Sequence, residues 1–453
     1  MEKNEFIDNP LSQDFTFYAL LRFVFPTIVT MLFMGIYTMA DTVFVSQFVN
    51  ENALSALNIV CPIMNVIVGL ATMLATGGNA IVAKRMGKGE VYRANQDFTL
   101  IVIFGIGVGI IIALLGTLFL NQIIIGLGAS SLLLPYCRDY LGILFIFTPA
   151  SILQVIFQNM IVTAGKPTLG LVLSIGAGLI NIGLDYVFMV PMNMGIAGAA
   201  LGTSLGYLMP SVIGFLFFSS HRSLLRFVKP VRNMSVIIQS CANGASEMVS
   251  QLATALTTFF FNMTMMKLVG EDGVAAITIL IYTQFFMTTL YIGFSMGVAP
   301  LISYNYGAKN NQHLQSLLKK SLLFIGITSI TIFFIAIIGK TWLIQLFVNS
   351  QSRVYTVTMQ GFKIFAFSFL FSGINIFSSS LFTALSNGKI SALISFLRTF
   401  GLIMPGLIWL PKFMYIIGVW LAVPFAELLT GVISIFCIVF YRKVYGYISF
   451  SIK

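Results

Sequence analysis

Apolar residues run in long blocks divided by short polar breaks, and the blocks are too long and too many to be core helices of a soluble protein. Hydropathy predicts about twelve spans. In the first half they are Tyr18–Gln47, Leu54–Ala83, Phe98–Leu120, Leu132–Val162, Thr168–Val190 and Ile196–Phe218. In the second half they are Ser235–Leu268, Val274–Tyr304, Leu317–Ile338, Val354–Leu385, Ile390–Leu410 and Tyr415–Tyr441. Several exceed what a hydrocarbon core of about 30 Å requires, so they should tilt, bend or protrude. The expected class is an all-α integral membrane protein.

The two halves of the pattern match each other. Val49 to Ile59 aligns without a gap on Val269 to Ile279, and the register then holds through a span: Glu51 meets Glu271, Ala56 meets Ala276, Gly77 meets Gly297 and Gly87 meets Gly307. Later, Gly165-Lys166 meets Gly388-Lys389 and Gly195 meets Gly418. This predicts two six-helix lobes in the same membrane orientation, related by an axis along the bilayer normal. The expected divisions are a tail at 1–17, a first lobe at 18–220, a basic linker at 221–234, a second lobe at 235–441 and a tail at 442–453.

Composition agrees with the pattern: 58% of the 453 residues are hydrophobic and only 9% charged, which places the chain in the polytopic membrane class. A net charge of +11 would suggest nucleic acid or an anionic surface. The basic residues, however, crowd into alternate loops, including Lys84, Arg85, Lys88, Arg93, Lys166, Arg226, Lys309 and Lys389. That is the positive-inside distribution, so both termini are expected in the cytoplasm, with the chain in the inner (plasma) membrane and no nucleic-acid partner. The polar, mixed-charge N-terminus resembles neither a signal nor a transit peptide. Cys61, Cys137, Cys241 and Cys437 each stand alone in apolar sequence and read as small buried hydrophobes.

Few carboxylates lie within the spans: Asp41, Asp185, Glu247 and Glu427, with Asp139 at the start of the fourth. Placing one there costs about 2.5–3.5 kcal/mol on insertion scales, so each should face protein or water and serve a purpose. In L-I-N-I-G-L-D-Y (Leu179 to Tyr186), Asn181 and Asp185 lie four apart and share a helix face. Asp41 ends Y-T-M-A-D-T one turn after Tyr37, on a span made bendable by Pro26. In the sixth span, Thr203 offers a hydroxyl, either as a ligand or as packing between helices. If these spans meet, Asp41, Asn181, Asp185 and Thr203 form an oxygen-rich cage suited to Na⁺. Two buried carboxylates sharing a site also hold a proton, because both cannot be ionised cheaply. The residues leave the choice of ion open. The plainer alternative is an inward-facing acid that only joins helices.

Catalysis has little support. The only histidines, His221 and His313, lie in loops, and there is no HExxH, Walker A or nucleotide-binding glycine turn. Without an ATPase motif, transport would draw on an ion gradient.

With these residues in view, the chain resembles the multidrug and toxic compound extrusion (MATE) transporters, in their bacterial MepA-like branch. The resemblance is carried by the Pro26…Tyr37…Asp41 span, by N-I-G-L-D with Thr203, and by G-V-A-P-L-I-S-Y-N-Y-G-A (Gly297 to Ala308). It covers essentially the whole chain. It implies that Asp41, Asn181, Asp185 and Thr203 are the first-lobe cation site for H⁺ or Na⁺, that Tyr37 and Tyr140 support it, and that the first helix bends about Pro26. It also implies a V-shaped cleft between lobes and no cofactor beyond the coupling ion. The tenth span departs from some members of the family: it has Asn375 and serines where they carry an acid, which puts a second complete cation site in doubt.

Candidates for lining the substrate cleft are Glu247, Gln154, Gln158, Gln284, Asn375, Met34 and Met287: an acid to attract a cation, amides that prefer the interior, and adaptable thioethers. Glu427 is expected to pair with Arg398. The expected function is efflux of small-molecule drugs or organic cations by antiport, performed by a monomer in the lipid bilayer. The alternative is a lipid-linked oligosaccharide flippase, which would need basic residues in its cavity; Arg398 is the main one within a span.

Overall fold

Long apolar runs with few internal breakers favour helices, since within lipid only a helix satisfies its backbone groups by itself. A computed structural model describes residues 9–220 and 223–447, apart from the side chains of 38–40, 42, 43, 46 and 51. The remaining parts of the two tails, and His221 and Arg222 of the linker, lie outside the described residues.

The first half contains α1 (Phe17–Phe48), α2 (Glu51–Gly87), α3 (Val91–Leu118), the short α4 (Leu120–Gly126), α5 (Leu134–Ile146), α6 (Thr148–Thr163), α7 (Pro167–Met189) and α8 (Gly195–Ser219). The second half contains α9 (Met234–Leu268), α10 (Glu271–Gly307), α11 (Asn311–Gln345), α12 (Arg353–Phe365), α13 (Phe369–Ala384), α14 (Gly388–Phe396), α15 (Ile403–Met414), α16 (Ile416–Phe440) and the short α17 (Arg442–Tyr445). No strand occurs among the described residues.

Among the described residues, ten helical segments are long and apolar enough to span a membrane, and α5 with α6 makes an eleventh, bent by 55°. Pro149, at the start of α6, marks that break. The remaining one of the twelve expected spans falls on α9, which is long enough at 35 residues but is not among these apolar segments. It packs lengthwise against α2.

Two cores lie in the first lobe, one including Phe98, Phe157 and Phe218 and the other Val45, Tyr140 and Phe145; the larger core of the second lobe includes Phe294, Phe369 and Phe377. α1 belongs to both lobes. Leu20 and Val24, near its start, sit in the second-lobe core and pack on α10. Phe33 and Tyr37, past Pro26, lie against Gly178 of α7. α9 mirrors this exchange: Val236 and Ile237 enter the first-lobe core around Phe98, whereas Phe261 and Met265 enter the second-lobe core.

The linker is held on the first lobe. Arg226 N–H donates to Asn95 Oδ1 at 3.0 Å and Val228 N–H to Thr99 Oγ1 at 3.1 Å, while the Phe227 ring stacks on Phe98 at 5.2 Å. Of the cysteines, Cys137 and Cys437 are buried as expected, but Cys61 is exposed and Cys241 is half-buried at the edge of the first-lobe core around Phe98.

Candidate functional site

The polar cluster forms where α1, α7 and α8 meet. Asp41 comes from α1, Asn181 and Asp185 from successive turns of α7, and Thr203 from α8. Asp185, Asn181 and Thr203 are buried, with Asp185 only 1% exposed; Asp41 is half-buried. The Asp41 and Asp185 side chains lie within interaction range of each other. Thr203 Oγ1 donates to Asp41 Oδ2 at 3.3 Å.

Asn181 Nδ2 donates to Asp41 Oδ1 at 2.9 Å, and its Oδ1 accepts from the Thr203 backbone N–H at 3.2 Å. Asp185 Oδ1 is buried and accepts no hydrogen bond. It is pressed against Gly202, where an added Cβ would strike it.

Three phenols surround the carboxyls. Tyr37, Tyr140 and Tyr207 all lie within electrostatic reach of Asp41. Tyr207 was not expected from the sequence. Its signal was its place one helical turn after Thr203, on the same face of α8. Gly202 was also missed, since only the packed structure shows what a side chain there would meet. Pro26 lies on α1 at the passage from one lobe to the other, more than three turns before Asp41.

The substrate-cleft candidates scatter. Gln158 and Met34 lie inside the first lobe: Gln158 Nε2 donates to Ser174 Oγ at 3.0 Å and to Met34 Sδ at 3.5 Å. Gln154 joins them there rather than in a groove between lobes. Asn375 is a clearer correction. It is fully buried, donating to the Glu427 carbonyl at 2.8 Å and to Glu427 Oε2 at 2.6 Å while accepting from Ser434 at 2.9 Å. It lines no cleft because Glu427 uses its amide. Gln284 and Met287 are half-buried on α10, and Met287 packs on the second-lobe core. Glu247, half-buried on α9, lies within electrostatic reach of Arg398.

Arg398 pairs with Glu427 as expected, Nε to Oε1 at 2.8 Å. It projects from a turn of π-helix, Leu397–Gly401, that interrupts the eleventh span. Thr257 Oγ1 donates to the Thr399 carbonyl at 2.7 Å and so satisfies a backbone group in this irregular turn.

The chain is 25% identical over 427 residues to the multidrug export protein MepA of Staphylococcus haemolyticus, covering 93% of each protein. Among solved structures, a MATE protein in complex with MaL6 superposes with a TM-score of 0.91 at 16% identity, over 96% of this chain and 98% of that one. The Vibrio cholerae MATE transporter VcmN superposes with a TM-score of 0.87 at 21% identity, over 94% and 96%. The MatE family profile matches residues 26–187 and again residues 248–409, once in each lobe, and the chain is therefore a member of the MatE family of multi-pass membrane proteins.

Proposed function

We infer that this protein exports small organic, often cationic, compounds by antiport, with a proton as the counter-ion bound at Asp41 and Asp185. The observation that carries this reading is the convergence of two carboxyl groups, Asp41 and Asp185, where α1, α7 and α8 meet beside Asn181 and Thr203. Two ionised carboxylates in contact repel each other, whereas one proton shared between them forms a hydrogen bond. Asp185 Oδ1 makes the same point, since an ionised oxygen buried without a donor is costly.

The route from proton to cargo runs through α1. Its Asp41 end lies with α7 in the first lobe, and its Leu20 and Val24 end lies in the second-lobe core. Protonation removes the repulsion that spreads α1 from α7, and the helix adjusts near Pro26, where a backbone hydrogen bond is already missing. The change reaches the other lobe through α10. Coupling requires the proton to bind the two arrangements with different affinity. In this reading residues 18–220 and 235–441 are the moving lobes, and the tails and linker face the cytoplasm across the plasma membrane. Name similarity to a multidrug export protein supports the cargo class.

Na⁺ is the second reading, because Asp41, Asp185, Thr203 and the Asn181 carbonyl also make an oxygen cage. One experiment separates the two. Reconstituted protein is given a pH gradient, with and without Na⁺, and ethidium transport is followed for wild type, Asp41→Asn and Asp185→Asn. Proton-driven transport in Na⁺-free buffer that both substitutions abolish supports the proposal. Transport that needs Na⁺ assigns the cage to that ion. Undiminished transport in both variants refutes the site.

A further inference from the structure

Two water-sized cavities lie within the first lobe, and Gln154 lines both. The first is bounded by Tyr37, Asn181, Thr203 and Tyr207, the residues around the carboxyl pair. The second is bounded by Gln158, Ser174, Ile161 and Gly170. Ile161 and Gly170 flank the Gly165–Lys166 turn at the basic end of the lobe. The polar groups therefore run from Asp41 and Asp185 toward that end, walled by α6, α7 and α8.

Gln154 is the unexplained member. Its side chain is 7% exposed, yet its amide makes no hydrogen bond among the described residues. A buried amide needs a partner, and a space of this size beside it suits a water molecule, not a drug. One turn on, Gln158 already holds Ser174.

We propose that these cavities hold a relay of waters, ordered by Gln154 and Gln158, through which the coupling proton leaves the carboxyl pair for the cytoplasm inside the first lobe. The inference rests on the proton site proposed above. In each step one O–H bond breaks at the donor and one forms at the next water. The carboxyl pair gives up one positive charge, and the inner solution gains it. Cargo and proton then use different exits, so proton release need not wait for cargo to leave the space between the lobes.

The test separates proton release from cargo exchange. Full-length protein in liposomes is assayed for ethidium transport driven by a pH gradient, and for ethidium counterflow at equal alkaline pH, which needs no net proton movement. Gln154→Leu should slow the driven transport by about tenfold or more and leave counterflow within about twofold. Gln154→Asn, which keeps an amide, should recover at least about half of the driven rate. If Gln154→Leu fails to fold, Gln158→Met at the far cavity carries the same expected split. Unchanged driven transport, or an equal fall in both rates in folded protein, overturns the relay. Asp41→Asn separates the two levels: its failure to impair driven transport removes the proton site and the relay together. Impairment there beside normal Gln154→Leu and Gln158→Met removes the relay alone.

Discussion

Gly87 and Gly307 make one self-complementary contact across the axis that relates the lobes. A Cβ on Gly87 would strike the Tyr304 carbonyl, and a Cβ on Gly307 would strike the Lys84 carbonyl. The repeat register that pairs these glycines also pairs Lys84 with Tyr304, so each helix presents the same patch to the other, as a two-fold interface must. Lys84 Nζ adds a cation–π contact, 4.7 Å from the centre of the Tyr306 ring.

This contact predicts that Gly87→Val and Gly307→Val act alike. Each would force α2 and α10 apart, at about 1–3 kcal/mol by analogy with overpacked cores. Thermal unfolding in detergent should fall for both, by similar amounts. Gly107→Val, where nothing lies within 4 Å of the added carbon, should leave it unchanged. A neutral Gly87→Val would show that the lobes do not close on this glycine pair.

Gly202 gives a prediction at the proposed ion site. Its missing side chain is what lets Asp185 Oδ1 pack against α8. Gly202→Ala should displace that carboxyl without removing it and reduce pH-driven efflux by about tenfold or more, in the manner of Asp185→Asn. Gly183→Ala, with no neighbour near its added carbon, is the matched control on α7. Equal efflux by the two glycine variants would mean that the position of Asp185 is not critical.

Much of this site was legible because acids in lipid-spanning sequence are few. Asn181 and Asp185 shared a face by spacing alone, and Asp41 with Thr203 completed a cluster because the first, fifth and sixth spans meet. The sharing of α1 between lobes was not legible. α1 is apolar nearly all round, so its pattern gives no direction to one partner over another. The amides misled for a related reason: Asn375 and Gln158 did turn inward, as polar groups in spans should, but inward meant a lobe interior and not the space between lobes. The π-helical turn at Arg398 left no sequence signal, since only its hydrogen-bond register marks it.

The Arg398–Glu427 pair predicts a non-additive pair of substitutions. Glu427 is buried and its second oxygen is already taken by Asn375, so it has no other cation to turn to in this packing. Arg398→Met alone should cost about 3–5 kcal/mol, because it leaves a buried carboxylate without its counter-charge. Adding Glu427→Gln should recover most of that loss. Thermal unfolding of the two single variants and the double variant in detergent measures the coupling. Simple additivity would assign the pair no structural role.

The last prediction concerns the segment before α1. Leu11 is fully buried in the second-lobe core, and its carbonyl accepts from Asn305 Nδ2 at 3.4 Å. Phe15 packs on Phe23, and its carbonyl accepts from Lys320 Nζ. Pro10, one residue before Leu11, lies against Gly165 of the first lobe. Six residues thus tie both lobes together at the end where Gly87 meets Gly307. Any arrangement that parts the lobes there must extract Leu11 or release Pro10. Burying a leucine contributes about 1.5–3 kcal/mol, enough to bias a two-state equilibrium by tenfold or more. Leu11→Asp should therefore favour the arrangement open at this end. The measure is the labelling rate of a cysteine placed at Ser240, which is buried where α9 lies against Gly77 of α2 near the same end, in a background without the four native cysteines. Faster labelling in Leu11→Asp is expected, and an unchanged rate would show that the segment only rides on the second lobe.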